Sequence, residues 1–387
     1  MQLCQQLWSN IDEAEELLWD LALRIHAHPE LSLAEVQAST WLADVLEQHG
    51  FHVSRGVGNL PTAFRAEYPT AGTGPTLAIM AEYDALPELG HACGHNLIAA
   101  IAIGAGLGLA PLMVDLPGRL IVLGTPAEEG GDGKVKLIRA GLFRDIDAAL
   151  MVHPSAHTCV TKGLLSVTEV AISSQGKASH ASASPEDGIN ALDAVIQTFN
   201  GLNALRQHIR DGARIHGIIT NGGQKPNIVP ERAAASFYVR AADNTYRDEL
   251  LAKLERCAQG AALATGATLR IKTGHSYKSM CLNRTMAEAF RKHIEELGYP
   301  NEEPCGGLGS SDVGDVSWEV PAIQPEVRIT AEDTPLHSRE FAEAACSPLA
   351  RKAMIAAAKA IAATCLDIWT QPELYRQIRQ EFDQRPV

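Results

Sequence analysis

Three continuous apolar runs mark the first half of the chain: Thr76–Ala81, Leu120–Gly124 and Ala148–Val152. None alternates polar with apolar positions, so each predicts a strand buried on both faces, as in a parallel sheet. Around them the period is helical. Leu7, Ile11, Leu17, Leu18, Leu21 and Leu23 share one broad face and predict a helix over 5–27, which Pro29 stops. Ser32, with Glu35 three residues on, reads as a capping box opening a second helix through about Gln48. Short strands follow near 51–54 and 63–67. The run Leu97–Val114 is apolar throughout and long enough to span a bilayer. Its three glycines and many alanines suit a helix packed closely on a sheet, so a buried helix is expected.

From about Ser166 the pattern changes. Strand-like 167–173 precedes a helix over about 188–210, opened by Ser184-Pro185-Glu186-Asp187. Strands at 215–220 and 234–239, a helix at 245–264 and a strand at 268–272 follow. The order β-α-β-β-α-β is that of a ferredoxin-like unit. Helical periods return near 284–297 and 346–366, with a polar tail after Thr370. The expected fold class is α/β, a mixed, mostly parallel sheet flanked by helices. Residues 1–165 plus 278–387 would form that domain, and 166–277 an inserted ferredoxin-like α+β domain.

At 387 residues the chain exceeds what one core usually serves, which suits two domains. A formal charge of −13 argues against nucleic acid or an anionic membrane as main partner and leaves a small-molecule substrate open. Eight scattered cysteines form no C-x-x-C pair, and a chain this long needs no disulfide framework. A reducing, cytoplasmic location is expected. Met1–Gln5 lacks a basic segment followed by an apolar one, so no signal peptide is expected.

Chemistry enters at the strand ends. Asp84 lies just past the first run, Glu128-Glu129 past the second and His153 past the third. In open α/β sheets ligands collect beyond the carboxyl ends of the strands, so these side chains should share one edge. Gly90-His91-Ala92-Cys93-Gly94-His95-Asn96 crowds a thiol and two imidazoles into a loop that enters the apolar helix. Cys93 and His95 are two apart, a spacing that a loop, unlike a helix face, can aim at one ion. Adjacent carboxylates in extended chain point opposite ways, so one of Glu128-Glu129 can bind metal while the other faces substrate as a base. Singly, each signal has a plainer explanation: a buried cysteine, a solvated acidic turn, a surface histidine at 337, an unpaired arginine at 240. Thiol, imidazoles and carboxylates gathered at strand ends point to a metal site.

Four motifs then carry a resemblance: Ala81-Glu82-Tyr83-Asp84-Ala85-Leu86-Pro87, His91-Ala92-Cys93-Gly94-His95-Asn96, Pro126-Ala127-Glu128-Glu129 and Leu336-His337. In order and spacing, over nearly the whole chain, they resemble the dinuclear metallo-amidohydrolases related to aminoacylase and carboxypeptidase G. The closer likeness is to the branch of aminobenzoyl-glutamate hydrolase and the aminoacylase-like dipeptidases. The resemblance implies two divalent metal ions, zinc or manganese, and hydrolysis of an amide bond in an N-acyl or N-aroyl amino acid or a dipeptide. It implies a homodimer through the inserted domain, acting as dimerisation or lid domain. Cys93, His95, Glu129, His153 and His337 would be the protein ligands, Glu128 the general base, and Asp84 a carboxylate behind a metal-bound histidine. His180 matches a histidine that reaches across a dimer to the partner's active site. Asn227 and Arg240 match the family's substrate-binding pattern, and His216 is a weaker candidate for substrate contact. The loop Gly306–Asp312 is expected to be flexible and to line the pocket. Two positions depart from the pattern. Asn96 stands where conjugate-hydrolase relatives carry Asp, which removes a carboxylate that could bridge two metals, and Glu82 replaces an Asp. Two other readings remain, a hydrolase with Cys93 as nucleophile and a metal-binding scaffold without turnover.

Overall fold

A computed structural model describes residues 2–303, 307–331 and 333–385. The chain divides into two compact units. Met1–Gly163, Met280–Leu308 and Asp312–Val387 form the first, and Leu164–Ser279 with Gly309–Ser311 the second.

The strands run in chain order as β1 (His52–Arg55), β2 (Phe64–Glu67), β3 (Thr76–Ala81), β4 (Arg119–Gly124), β5 (Ala148–Leu150) and β6 (His153–Ser155). The second unit contributes β7 (Ser166–Gln175), β8 (Arg214–Asn221), β9 (Arg232–Ala241) and β10 (Thr268–Tyr277). The first unit then resumes with β11 (Ala322–Ile323) and β12 (Glu326–Arg328).

In the first unit the main sheet runs β1-β2-β4-β3-β5-β11. The pairs β4–β3, β3–β5 and β5–β11 are parallel, while β1 and β2 make an antiparallel edge. This is the mixed, mostly parallel sheet expected. All six residues of β3 are buried, which is why its apolar run does not alternate. The helix His95–Leu109 is buried along its whole length against β3 and β4, with helices Glu15–Ala27 and Pro348–Thr370 on it. Its glycines permit that approach. A Cβ at Gly106 would lie 2.8 Å from Val122 of β4, and one at Gly104 2.8 Å from Leu18. His95–Leu112 and Pro348–Thr370 are long and apolar enough to cross a membrane, but both are packed inside the core.

Three local expectations change. The N-terminal helix is two, Gln2–Glu13 and Glu15–Ala27, broken locally at Ala14 although the apolar stripe continues. The third apolar run leaves the main sheet after Leu150, and His153–Ser155 pairs with β12 in a separate ribbon. The capping box does not form. The helix begins at Val36 without a side-chain cap, because Ser32 and Glu35 turn to distant partners instead.

The second unit is an antiparallel sheet, β10-β7-β9-β8, with helices Ala191–Leu205 and Asn244–Thr265 packed on each other and on β9. Val170, Ile172, Val195, Phe237 and Leu250 lie in its core. Ser184–Asp187 does not open the first of these helices. Asn190 caps it, its side chain accepting from Leu192 and Asp193 N–H. β8 is an edge strand with Ile218 and Ile219 exposed.

Candidate metal centre and active site

Parallel β3, β4 and β5 bring their carboxyl ends to one edge. Glu82 and Asp84 follow β3, Glu128-Glu129 follow β4, and His153 opens β6 just beyond β5. Between Cys93 and His95 the chain turns at Gly94, with φ 78°, where a Cβ would lie 2.9 Å from the Pro154 ring. His337 arrives from the C-terminal part of the chain, its N–H donating to Ala92 O at 2.9 Å.

These elements gather the five expected donors. Cys93 Sγ lies 3.6 Å from His153 Nε2. Glu129 Oε1 lies 3.9 Å from His95 Nε2 and 3.8 Å from His337 Nε2. Three overlapping sets, Cys93/His95/His153, Cys93/Glu129/His337 and His95/Glu128/Glu129, each hold their donor atoms within 4.8 Å of one another. The rings are oriented for this. His153 Nδ1–H donates to Pro154 O at 2.7 Å, and His95 Nδ1–H donates to Asp84 O at 3.0 Å and Oδ1 at 3.1 Å. These bonds orient each ring so that Nε2 is the atom that would face a cation. His95 Nε2 and Glu129 Oε1 are buried and make no hydrogen bond among the described residues.

Asp84 has a second task. Its Oδ2 accepts from Glu129 N–H at 2.9 Å and from the Ser32 hydroxyl at 2.8 Å. Burial alone would raise this carboxyl, but His95 and these donors hold it below the usual carboxylate range. Elsewhere burial wins. It pushes the Cys93 thiol up, and burial with the Glu82, Glu129 and Asp312 carboxylates pushes Glu128 well above its ordinary value. Protons held this way are what a divalent cation displaces on binding. Sulfur, imidazole and carboxylate donors suit a borderline-soft divalent ion, so the residues fit such a metal.

Sequence reasoning missed Lys134. Its ammonium is fully buried, 2.6 Å from Glu82 Oε1 and 2.6 Å from Asp312 Oδ1. Glu82 Oε2 lies 3.4 Å from His95 Nε2, so one carboxylate spans the metal-binding histidine candidate and the lysine. Asp312 is also corrected. It is fully buried, with burial pushing its carboxyl up to about 7, and does not belong to a flexible loop. Gly306 of that loop lies outside the described residues. Asn96 is corrected too. Its amide donates to Ala22 O at 3.3 Å and Ala345 O at 3.2 Å, in the core. Both partners are acceptors, so the position is an amide for the sake of packing.

The second unit holds the other candidates. His180 is exposed, and its Nδ1 accepts from Ala183 N–H at 3.2 Å; the neighbouring Ala181 N–H donates to Asn227 O at 3.1 Å. Arg240 is half-buried, donates to Ser310 Oγ at 3.0 Å and lies 5.7 Å from the Tyr238 ring. His216 packs against the same ring at 5.7 Å. Burial, then Arg240, lowers its imidazole.

Residues 78–359 match the model of peptidase family M20/M25/M40. The chain is 41% identical to the Xaa-Arg dipeptidase of Mus musculus, covering 96% of this chain and 90% of that protein. It is 31% identical to one of the p-aminobenzoyl-glutamate hydrolase subunits of Escherichia coli strain K12, covering 98% of this chain and 95% of that protein. Its fold matches the crystal structure of a dinuclear metal-binding peptidase of the M20 family from Bacillus subtilis, with a TM-score of 0.74, 22% identity, and coverage of 93% and 99% of the two chains. This chain belongs to peptidase family M20/M25/M40 and is a metal-dependent peptidase or amidohydrolase.

Proposed function

We propose that the protein is a dipeptidase of this family that hydrolyses a dipeptide with a basic C-terminal residue and releases that amino acid. The observation that carries the reading is the meeting of the Cys93, His95, Glu129, His153 and His337 donors beside Glu128 at one sheet edge. The 41% identity to an Xaa-Arg dipeptidase supports the substrate class. An N-aroyl amino acid such as aminobenzoyl-glutamate is the second substrate to test, from the 31% relative.

Cys93, His95, Glu129, His153 and His337 would hold two divalent ions, zinc or manganese. Cys93, His95 and Glu129 each stand in two of the three donor sets. Bound ions would supply Lewis acidity and lower the pKa of a water from roughly 15.7 towards 7. Glu128 accepts the proton of the attacking water and passes it to the leaving nitrogen. Asp84 keeps the His95 tautomer and holds the Glu129 peptide. In a homodimer formed through the second unit, with β8 as the edge that pairs, His180 would donate to the developing oxyanion. The exposed Ile218 and Ile219 on β8 favour that contact. Arg240 would clamp the substrate carboxylate, with Asn227 and His216 nearby contacts and the second unit a lid. Seven described free cysteines suit a cytoplasmic location. A Cys93 nucleophile is disfavoured, because a reactive thiol needs a lowered pKa and burial raises this one.

The test is metal-stripped protein reloaded with zinc or manganese and assayed on alanyl-arginine and aminobenzoyl-glutamate. Glu128→Gln should keep its metal and lose turnover. Full activity in metal-loaded Glu128→Gln would remove the proposed base.

A further inference from the structure

Glu128 stands between two peptide N–H groups, and a different buried carboxylate holds each. Glu129 N–H donates to Asp84 Oδ2 at 2.9 Å, and Ala127 N–H donates to Glu35 Oε1 at 2.9 Å. Glu35 is 0% exposed. The same Oε1 accepts from Leu33 N–H at 2.9 Å, and Oε2 accepts from the Thr62 hydroxyl at 2.8 Å. No cation pairs with it among the described residues. The helix that starts at Val36 takes no side-chain cap from it. Burying an unpaired carboxylate is costly, and local helix formation does not explain the cost.

The turn before Glu128 does. Ala127 has φ 61°, a left-handed conformation that a residue with a Cβ avoids unless its surroundings impose it. Its N–H points at Glu35, and Gly131 and Gly133 N–H donate to its carbonyl at 3.1 and 3.2 Å. Ala127 is therefore held through both of its flanking peptides, with the carboxylate holding the Pro126–Ala127 peptide and the two glycine N–H groups the Ala127–Glu128 peptide. Thr62 anchors the other carboxylate oxygen from the loop before β2, so Glu35 ties the Glu128 turn to a separate part of the unit.

We propose that Glu35 is a positioning residue for the base: it fixes the Ala127 peptide and with it the direction of the Glu128 side chain. The inference rests on the reading of Glu128 as base. Glu35 contacts no reacting atom. A loosened turn should misplace Glu128 and leave substrate and metal binding intact, and a misplacement of about 1 Å can cost about a hundredfold in rate.

The experiment compares Glu35→Met, which removes the acceptor at similar size, with Glu35→Gln, which keeps an acceptor oxygen for Ala127. The substrate is alanyl-arginine or aminobenzoyl-glutamate, whichever the metal-loaded wild type turns over. Glu35→Met should lower kcat by about tenfold or more, with KM within about twofold and wild-type metal content by elemental analysis. Glu35→Gln should recover most of kcat. Hydrogen exchange needs no substrate and should speed up at residues 127–130 in Glu35→Met. Should Glu35→Met fail to fold, Glu35→Asp, one methylene short of Ala127, should show the same fall in kcat and the same faster exchange. Wild-type kcat, unchanged exchange at 127–130, a fall cured by saturating metal, or Glu35→Gln as impaired as Glu35→Met would each overturn the proposal. Glu128→Gln runs in parallel. If it stays active, the base reading falls and this inference with it; if it is inactive while Glu35→Met is not, only this inference falls.

Discussion

Asn96→Asp separates two accounts of the metal site. A carboxylate there could bridge two ions only if it faced them, and the Asn96 amide instead donates to Ala22 O and Ala345 O with no exposure. An ionised Asp would set a buried charge against two carbonyl oxygens. It would stay protonated, its pKa raised by up to about 3–5 units as for fully buried carboxyls. The protonated form still donates one of the two hydrogen bonds, so below about pH 4 the cost is about 1 kcal/mol. A carboxyl pKa raised on folding leaves that cost unchanged below the unfolded value and deepens it as pH rises towards the folded value. If the folded value is about 7, the penalty grows by about 2.7 kcal/mol between pH 5 and pH 7, at 1.36 kcal/mol per unit, and then levels off. Denaturant unfolding of chelator-stripped wild type and variant at pH 5 and pH 8 measures it. The expected result is a variant destabilised by about 2.5 kcal/mol at pH 5 and about 5 kcal/mol at pH 8, with metal affinity no better than wild type. Equal stability at pH 8 together with tighter metal binding would show that position 96 faces the ions, and the reasoning would fail.

Gly94→Ala should weaken the centre directly. The left-handed φ costs a residue with a Cβ about 1–2 kcal/mol, and the new Cβ meets the Pro154 ring at 2.9 Å beside His153. Metal affinity by chelator competition should fall about tenfold, and wild-type affinity would contradict the geometry. Lys134→Met should destabilise chelator-stripped protein by about 3–5 kcal/mol, because Glu82 and Asp312 lose their shared cation. Adding Asp312→Asn should recover part of the loss in denaturant unfolding, and no recovery would mean the pair is not coupled through Lys134.

The sheet and the polar residues at its edge were legible because they depend on local pattern, while the ligand set Cys93, His95, Glu129, His153 and His337 came from the family resemblance. β3, β4 and β5 read as apolar runs, and Asp84, Glu128, Glu129 and His153 sit one turn past their ends. What was not legible depends on partners far along the chain. Ser32 and Glu35 have capping-box spacing, but their side chains go to Asp84, Thr62 and Ala127, up to 92 residues away. Lys134 has no periodic signal, and its partner Asp312 is 178 residues away. Asn96 was read by the carboxylate it lacks, while its role is set by carbonyls 74 and 249 residues off. Cap and period rules encode neighbours, and a buried polar side chain is satisfied wherever the fold brings a partner.

Those long-range partners also shape the charge of the site. Glu82, Asp84, Glu128, Glu129 and Asp312 crowd one sheet edge, and so many carboxylates would stay protonated without compensation. Lys134 pairs with Glu82 and Asp312, and His95 pairs with Asp84. Even so, burial holds Glu128 and the Cys93 thiol above their ordinary values, and Glu129 Oε1 makes no hydrogen bond among the described residues. Under the proposed reading these are the base and two ligands. A scaffold that never met a cation would gain nothing from burying three such groups together. A pair of divalent ions would supply the positive charge with which the thiol and the carboxylates ionise, and would leave Glu128 able to accept a proton.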